Sequence, residues 1–253
     1  MSDFLKLGDT LKGVSFPAQK NSKTASDSPT PEPEYTCDLC KDKGWLKTWV
    51  DDTHADVVRC PCKAESDRIE MEHRFFRLCA LPAGTVDMTF ENFRRGPGLE
   101  DAYKAAVDLA GEGEVRRLTL SGGVDRGKTH LAVAICRHWL AQRRPARYVY
   151  APLLLDELRA GYESDDFNLK WHFFLNVPLL VLDDLGVERL TDWAMERLDT
   201  LFDYRLMHDL RMVVTTNLRM TDLPPRIASR MQRDEGRVIV VGGEEYRLRR
   251  HGQ

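Results

Sequence analysis

Residues 121–130 carry the residue types and the spacing best suited to bind a phosphate. They read SGGVDRGKTH and match the pattern GxxxxGK(S/T), whose fixed positions are Gly122, Gly127, Lys128 and Thr129. Glycines let several backbone N–H groups point at one phosphate, and a following helix adds the partial positive charge of its N-terminus. Lys128 can neutralise the outer phosphates, and the Thr129 hydroxyl can hold Mg²⁺. The other residues of this predicted nucleotide-binding loop are Gly123, Val124, Asp125, Arg126 and His130.

Asp125 occupies a loop position that is often glycine. If the backbone there has a positive φ, a residue other than glycine costs roughly 1 kcal/mol. Its carboxylate would also lie near the phosphates. We therefore expect Asp125 to weaken the affinity for a triphosphate without abolishing it.

Two acidic residues, Asp183 and Asp184, follow an apolar run at 179–182. Carboxylates at the end of a buried strand are costly unless a charged group meets them. Beside a phosphate-binding loop, that group is Mg²⁺ together with the attacking water. We assign Asp183 to the metal, directly or through water, and Asp184 to the water as its general base.

Two later residues complete the predicted site. Asn217 follows a second apolar strand, and we expect it beside the γ-phosphate, where it would hold the attacking water. The same Thr-Asn sequence also makes ordinary turns at strand ends. Arg230 lies on a short predicted helix, where it could point into the nucleotide of a neighbouring subunit and stabilise the charge on the transferring phosphoryl group. An arginine at such a position is otherwise an ordinary surface residue.

Four cysteines form two close pairs: two residues separate Cys37 from Cys40, and one separates Cys60 from Cys62. Two predicted strands between the pairs form a hairpin that brings them together. Four thiolates suit tetrahedral zinc, which also replaces the core that so small a module cannot build. Free thiols and disulfides are the alternatives. Disulfides are disfavoured in the cytosol, and a bridge within Cys-x-Cys would be strained.

The remaining candidate ligands have weaker spacing. His54 and His73 are reserve zinc ligands, whereas Cys79 and Cys136 have no partner at metal spacing and are predicted to be packing thiols. Phe90 and Phe93, in the sequence TFENF, either cover an adenine or belong to the core.

Strands and helices alternate along the C-terminal part of the chain and must position these residues. This pattern predicts an α/β fold with a five-stranded, mostly parallel sheet covered by helices. Ligands in such sheets bind at the carboxyl ends of the strands. The predicted strands are 117–120, 147–150, 178–183, 211–215 and 237–241, and the predicted helices are 64–78, 99–110, 128–141, 152–160, 192–207 and 223–231.

The length of 253 residues and the composition predict one large domain with a small appendage. No apolar run approaches the roughly 20 residues that cross a bilayer, and the N-terminus lacks a signal-peptide core, so we expect a cytoplasmic protein. The predicted parts are a disordered segment at 1–34 that could order on a partner, a zinc module at 35–64, a linker at 65–98 and a nucleotide-binding domain at 99–250.

Arginine is concentrated in one region. Residues 205–250 contain ten arginines, no lysine and six acidic residues, within a chain of net charge −3. Such a run is usually a solvated surface, but the exclusive use of arginine modestly favours contacts with phosphate or carboxylate groups.

The segments SGGVDRGKTHLAVAI, LLVLDDLG, VVTTNL and RIASRM, in this order and spacing, resemble the AAA+ ATPases of the DnaC/IstB family over roughly residues 35–250. The cysteine-rich module and TFENF resemble its helicase-loader branch. The resemblance assigns Lys128 and Thr129 to Walker A, Asp183 and Asp184 to Walker B, Asn217 to sensor one and Arg230 to the arginine finger. It also implies that Arg247, in GEEYR, touches the nucleotide.

The resemblance implies an ATPase, with slow turnover, that loads a replicative DnaB-type helicase onto single-stranded DNA and forms a homo-oligomer with ATP. The N-terminal segment and the zinc module would hold the helicase. Two departures stand out: Asp125 replaces the usual glycine, and little sequence follows the last strand, so we expect little or no lid domain. The alternatives are an IstB-like transposition helper that acts on duplex DNA and a nucleotide-gated adaptor that barely hydrolyses ATP.

Overall fold

The structure of the protein is a computed structural model that describes residues 34–163, 167–186, 191–233 and 236–242. The predicted N-terminal partner segment lies outside this range except for its last residue, and Arg247 lies outside it entirely. The chain divides into two compact units, with the division after Val58.

The described part of the first unit is mainly a β-hairpin, with β1 at Trp45–Trp49 and β2 at Ala55–Arg59, where the chain passes into the second unit. Its turn is fixed by Asp51, whose carboxylate accepts hydrogen bonds from the backbone of Thr53 and His54 at 2.8 and 2.7 Å. The large apolar side chains of the two strands are exposed rather than packed into a core. The hairpin therefore agrees with the prediction of a module too small to build its own core.

The second unit contains seven described helices and a parallel sheet. The helices are α1 (Pro61–Cys79), α2 (Glu100–Ala110), α3 (Lys128–Ala141), α4 (Ala151–Glu163), α5 (Phe167–Asn176), α6 (Asp192–Met207) and α7 (Pro225–Gln232), with a 3₁₀ turn at Ala83–Thr85. The strands are β3 (Arg117–Ser121), β4 (Ala146–Tyr150), β5 (Leu179–Asp183), β6 (Arg211–Thr216) and β7 (Gly236–Val240).

All four strand pairings in this sheet are parallel, and the strand order is β4-β5-β6-β3-β7. The register pairs Ser121 with Thr216 and Tyr150 with Asp183, so the carboxyl ends of the strands meet at one edge. Strand β6 lies between β5 and β3. Residues that follow β6 are therefore placed between the acids that end β5 and the loop that follows β3.

Helices cover the sheet on both faces, in two clusters of buried apolar side chains. The first cluster joins α2 and α3 to the sheet and includes Leu109, Leu131 and Trp139. The second joins α4, α5, α6 and α7 and includes Leu158 and Leu201. Burial on both faces explains why the central strands are continuous apolar runs rather than alternating ones.

Arg205 is buried in the second cluster, where its guanidinium donates to backbone oxygens instead of a carboxylate. The acceptors are Phe174 and Leu175 at 3.0 and 3.1 Å and Arg211 at 2.5 Å. Burial lowers the pKa of Arg205 to about 9. These bonds satisfy the carbonyls at the end of α5 and fix that helix to α6 and β6.

Candidate active site

The loop between β3 and α3 adopts the conformation that its glycines permit. The φ angles are 148° at Gly122 and 85° at Gly127. A Cβ atom at Gly127 would lie 2.8 Å from the ring of Phe93, so glycine is required there by space as well as by φ. Asp125 has a φ of 57°. Asp125 therefore has the positive φ at which we expected a residue other than glycine to be strained.

Lys128 opens α3 and is buried, with 6% of its surface exposed. Its ammonium donates to the carbonyls of Gly122 and Gly123 at 2.8 and 2.6 Å and to Oδ1 of Asn217 at 2.7 Å. Burial lowers the pKa of Lys128, and the nearby charges of Asp184 and Asp183 oppose that shift. The cation is held by neutral acceptors, which an anion such as a phosphate can replace.

Asp183, at the end of β5, is 4% exposed and accepts hydrogen bonds on both carboxylate oxygens. Oδ1 accepts from the Thr215 hydroxyl at 2.6 Å, and Oδ2 accepts from the Tyr148 hydroxyl at 2.6 Å. The Thr129 hydroxyl lies 3.0 and 3.2 Å from the two oxygens. In the part of the chain that the structure describes, these partners are all neutral hydroxyls. The Asp183 carboxylate and the Thr129 hydroxyl supply hard oxygen atoms that fit Mg²⁺.

Asp184 lies just beyond the strand, with a φ of 62°. Its Oδ1 accepts from Nδ2 of Asn217 at 2.6 Å, and its backbone N–H donates to the Thr215 hydroxyl at 2.8 Å. Asn217 thus connects Lys128 to Asp184. The strand order places the three predicted residues together, as their positions at strand ends suggested.

Tyr148, Tyr150 and Thr215 are further residues at this site, and sequence reasoning missed them. Tyr148 contacts Asp183, and the Tyr150 hydroxyl lies 3.4 Å from Oδ2 of Asp184. The two tyrosines are two residues apart on β4 and so share a face of the sheet. Their spacing in the sequence could have indicated this shared face. Only the pairing of β4 with β5 shows that the tyrosines lie beside Asp183 and Asp184.

A cleft of about 790 Å³ opens over the loop, and a cleft of this size fits a nucleotide. Its lining includes every loop residue from Val124 to His130, together with Asp183, Asp184 and Asn217. It is also lined by Asp87, Met88, Asn92, Phe93 and Arg94.

Of the two aromatic residues, Phe93 belongs to the first apolar cluster and also lines this cleft, whereas Phe90 packs against that cluster. Phe93 stacks on Tyr103 at 5.8 Å and meets the edge of His130 at 5.2 Å. Nε2 of His130 lies 2.8 Å from the carbonyl of Thr89. The segment before the domain is thereby fixed to the helix that follows the loop.

Arg230 lies on α7, with 20% of its side chain exposed, and is bound by acidic residues of its own chain. Its guanidinium forms a two-pronged pair with Asp203, in which Nη2 and Oδ2 are 2.6 Å apart, and Nη1 lies 2.8 Å from Oδ1 of Asp199. The hydrogen bond to Asp203 raises the pKa of Arg230. This arrangement differs from the expectation that Arg230 could point into a neighbouring subunit. No local pattern in the sequence predicts that α6 supplies two carboxylates.

Other arginines within residues 205–250 are also bound by acidic residues of their own chain. Arg219 pairs with Asp222 at 2.8 Å, and Arg226 lies 3.5 Å from Asp199. Together with buried Arg205, these residues direct much of the described charge to acceptors within the chain rather than to a continuous basic surface.

The ligand atoms of Cys37, Cys40, Cys60 and Cys62 all lie within 4.8 Å of one another. The residue types fit zinc. Neither His54 nor His73, both among the described residues, belongs to this group.

Cys79 and Cys136 are fully buried in the first apolar cluster, as expected for packing thiols, and burial raises the pKa of Cys136. Among the described residues, no helix is both long and apolar enough to cross a membrane.

Comparison with known proteins identifies the family. The family described as "IstB-like ATP binding protein" matches residues 70–252. The replicative helicase loader DnaI of Bacillus subtilis is 22% identical over 174 residues, which are 66% of this chain and 56% of that protein. The chain spans about half the length of the curated relatives it matches.

Two solved structures resemble the fold of this chain. A crystal structure of DnaI covers 68% of this chain and 98% of its own, with a TM-score of 0.57 and 25% identity. A crystal structure of the DnaC helicase loader covers 64% of this chain and 100% of its own, with a TM-score of 0.58 and 22% identity. The second likeness shows the fold alone.

Proposed function

The chain belongs to the family of IstB-like ATP-binding proteins and has the AAA+ P-loop fold, and from this premise we propose that it is an ATPase that loads a ring-shaped replicative helicase onto single-stranded DNA. The observation that carries the proposal is the connection from Lys128 through Asn217 to Asp184, beside the contact between Thr129 and Asp183. Lys128, Asn217 and both acids line one cleft, and this arrangement supports the proposed roles of a cation, an amide and two carboxylates around one phosphate.

The roles follow from the chemistry of each group. Lys128 and the backbone N–H groups at the start of α3 bind the outer phosphates. Thr129 and Asp183 hold Mg²⁺, which neutralises charge on the phosphates when bound. Asp184 accepts a proton from the attacking water, and Asn217 orients that water. ATP turnover is slow, because a single subunit lacks the second cation at its site. A neighbouring subunit must supply that cation.

Arg230 is the cation that the neighbour supplies, so hydrolysis requires a homo-oligomer. In the described structure its guanidinium is bound to Asp199 and Asp203. The proposal therefore requires that assembly draws Arg230 away from these carboxylates toward the γ-phosphate of the adjoining subunit. Arg247 is proposed to touch the nucleotide of its own subunit.

Helicase loading is favoured over transposition because the cysteine module precedes the ATPase domain and because relatives bear the name of helicase loaders. We propose that this module binds one Zn²⁺ and, with the N-terminal segment, holds the helicase. Single-stranded DNA would bind the assembled ATPase domains. Metal analysis of reduced protein should find one zinc per chain, and Cys60→Ser should lose it.

The nucleotide-gated adaptor is a second candidate, because the Asp125 carboxylate lines the cleft and was expected to weaken the affinity for a triphosphate. An adaptor would bind ATP, assemble and hold its partner with little hydrolysis. A transposition helper would instead prefer duplex DNA.

One experiment separates these functions. The protein is mixed with the replicative helicase of its own source organism and a circular single-stranded DNA, and the helicase retained on the DNA is measured with ATP, with ADP and without nucleotide. A loader gives retention and DNA-stimulated ATP hydrolysis that Lys128→Ala abolishes. Retention without turnover indicates the adaptor. Stimulation by duplex DNA alone indicates the helper.

A further inference from the structure

Tyr148 contacts the carboxylate of Asp183 and is not among the described residues that line the nucleotide cleft. Its side chain is buried, with 7% exposed, and its hydroxyl lies 2.6 Å from Oδ2 of Asp183. An ionised carboxylate can only accept hydrogen bonds, so the tyrosine is the donor. Burial, reinforced by the charge of Asp183, raises the pKa of Tyr148 well above its usual value.

The other oxygen of Asp183 is held in the same way. The Thr215 hydroxyl donates to Oδ1 at 2.6 Å and accepts from the backbone N–H of Asp184 at 2.8 Å. Tyr148 comes from β4 and Thr215 from β6, the two strands that flank β5. The carboxylate is thus fixed from both sides, and the Thr129 hydroxyl lies 3.0 Å from its Oδ1.

We propose that Tyr148 is a positioning residue for Mg²⁺, which acts by holding the Asp183 carboxylate in the orientation that the metal requires. It works with Thr215 and does not touch the nucleotide. Partners that orient a ligand in this way typically contribute about 10- to 100-fold to metal affinity. The inference rests on the proposed function, since it presumes that the cleft binds ATP with Mg²⁺.

The test is Tyr148→Phe, which removes one oxygen atom and keeps the ring. The binding of a fluorescent ATP analogue is measured with EDTA and then across a Mg²⁺ titration. We expect the same affinity as the parent protein in EDTA, and an increase of about tenfold in the Mg²⁺ concentration needed for half of the metal-dependent gain. A role in packing alone would lower the melting temperature and leave the Mg²⁺ midpoint unchanged, which would overturn the proposal.

Tyr204→Phe is the matched control. It also removes a hydroxyl that donates a hydrogen bond, at 2.7 Å to Oδ1 of Asn176, but on the surface where α5 meets α6. We expect no change in the Mg²⁺ midpoint. If Tyr148→Phe fails to fold, Thr215→Val removes the opposite hydroxyl from Asp183 and is expected to raise the midpoint in the same direction. An unchanged midpoint there overturns the proposal as well.

The outcomes also separate this inference from the proposed function. If the parent protein shows no binding of the analogue with or without Mg²⁺, the proposed ATPase is wrong. If the parent protein binds and Mg²⁺ strengthens binding equally in both proteins, the ATPase stands and the role of Tyr148 is wrong.

Discussion

Lys128 and Arg230 are both held by acceptors of their own chain, but the acceptors differ in charge. Two backbone carbonyls and a side-chain amide hold Lys128, whose pKa is lowered by burial. Two carboxylates hold Arg230, whose pKa is raised by its hydrogen bond to Asp203. Because its acceptors are neutral, Lys128 keeps a full positive charge for an arriving anion. The two carboxylates neutralise the charge of Arg230 until another anion displaces them.

This difference indicates how the two regions work. In our proposal, the loop region can bind a phosphate within a single subunit. The α7 region holds Arg230 on carboxylates of its own chain, and we propose that a neighbour's nucleotide must compete with them for Arg230. The comparison therefore separates binding, which one chain performs, from hydrolysis, which we propose requires two.

The largest effect is expected from Lys128→Ala. Removing the buried ammonium deprives the outer phosphates of the cation that we assign to them, so ATP binding and turnover should both become undetectable. Isothermal titration with Mg-ATP and a phosphate-release assay check this. Lys104→Ala removes an exposed lysine from α2 and should behave as the parent protein does. Tight ATP binding by Lys128→Ala would contradict the role that we assign to Lys128 in phosphate binding.

Arg230→Ala should separate binding from turnover. A transition-state arginine contributes about 1,000-fold or more to the rate of phosphoryl transfer, so turnover should fall by about that factor while the affinity for ATP stays within about twofold. Arg219→Ala breaks another arginine–aspartate pair, with Asp222, and should keep turnover near that of the parent. A matching loss of affinity and turnover in the Arg230 variant would show that Arg230 serves the fold of its own subunit.

Asp203→Asn should weaken the hold on Arg230 without removing it. Because an exposed ion pair contributes up to about 1 kcal/mol, we expect ATP-dependent self-association at roughly fivefold lower protein concentration. Sedimentation velocity with a non-hydrolysable ATP analogue measures this. The neighbouring change Asp209→Asn, which faces Arg116 at 3.6 Å, is the control. Unchanged association would mean that the carboxylates do not restrain assembly.

Two substitutions of Asp125 should have small and separable effects. The positive φ is present without nucleotide, so its strain affects the stability of the fold, and only the carboxylate acts on affinity. Asp125→Asn should tighten Mg-ATP binding by roughly threefold, because it removes a charge near the phosphates. Asp125→Gly should tighten it equally and also raise the melting temperature by about 2–4 °C. Equal affinity for Mg-ATP in the parent protein and both variants would show that the charge of Asp125 does not affect binding.

The sequence predicted what depends on local pattern. The loop, the helix at Lys128–Ala141 and the apolar strands before Asp183 and Asn217 have the expected places, because turn chemistry and apolar runs are local signals. Helix α5, at Phe167–Asn176, was not predicted, although Phe167, Trp171 and Phe174 have helical spacing.

Pairings between distant residues could not be predicted. The contact of Tyr148 with Asp183 depends on β4 lying beside β5, and the hold of Asp199 and Asp203 on Arg230 depends on α6 packing against α7. Neither arrangement has a signature in the spacing of the residues. The unexpected parts of the site are therefore those where two separate elements meet.

A mixing experiment tests most directly whether ATP is bound in one subunit and hydrolysed with an arginine from the next. Asp184→Asn keeps the arginine but lacks the general base, and Arg230→Ala keeps the base but lacks the arginine, so each protein alone should bind ATP with almost no turnover. An equal mixture should regain phosphate release, because some interfaces then combine an intact Asp184 with a neighbour's Arg230. A mixture as inactive as its components, although both bind ATP and assemble, would contradict the account.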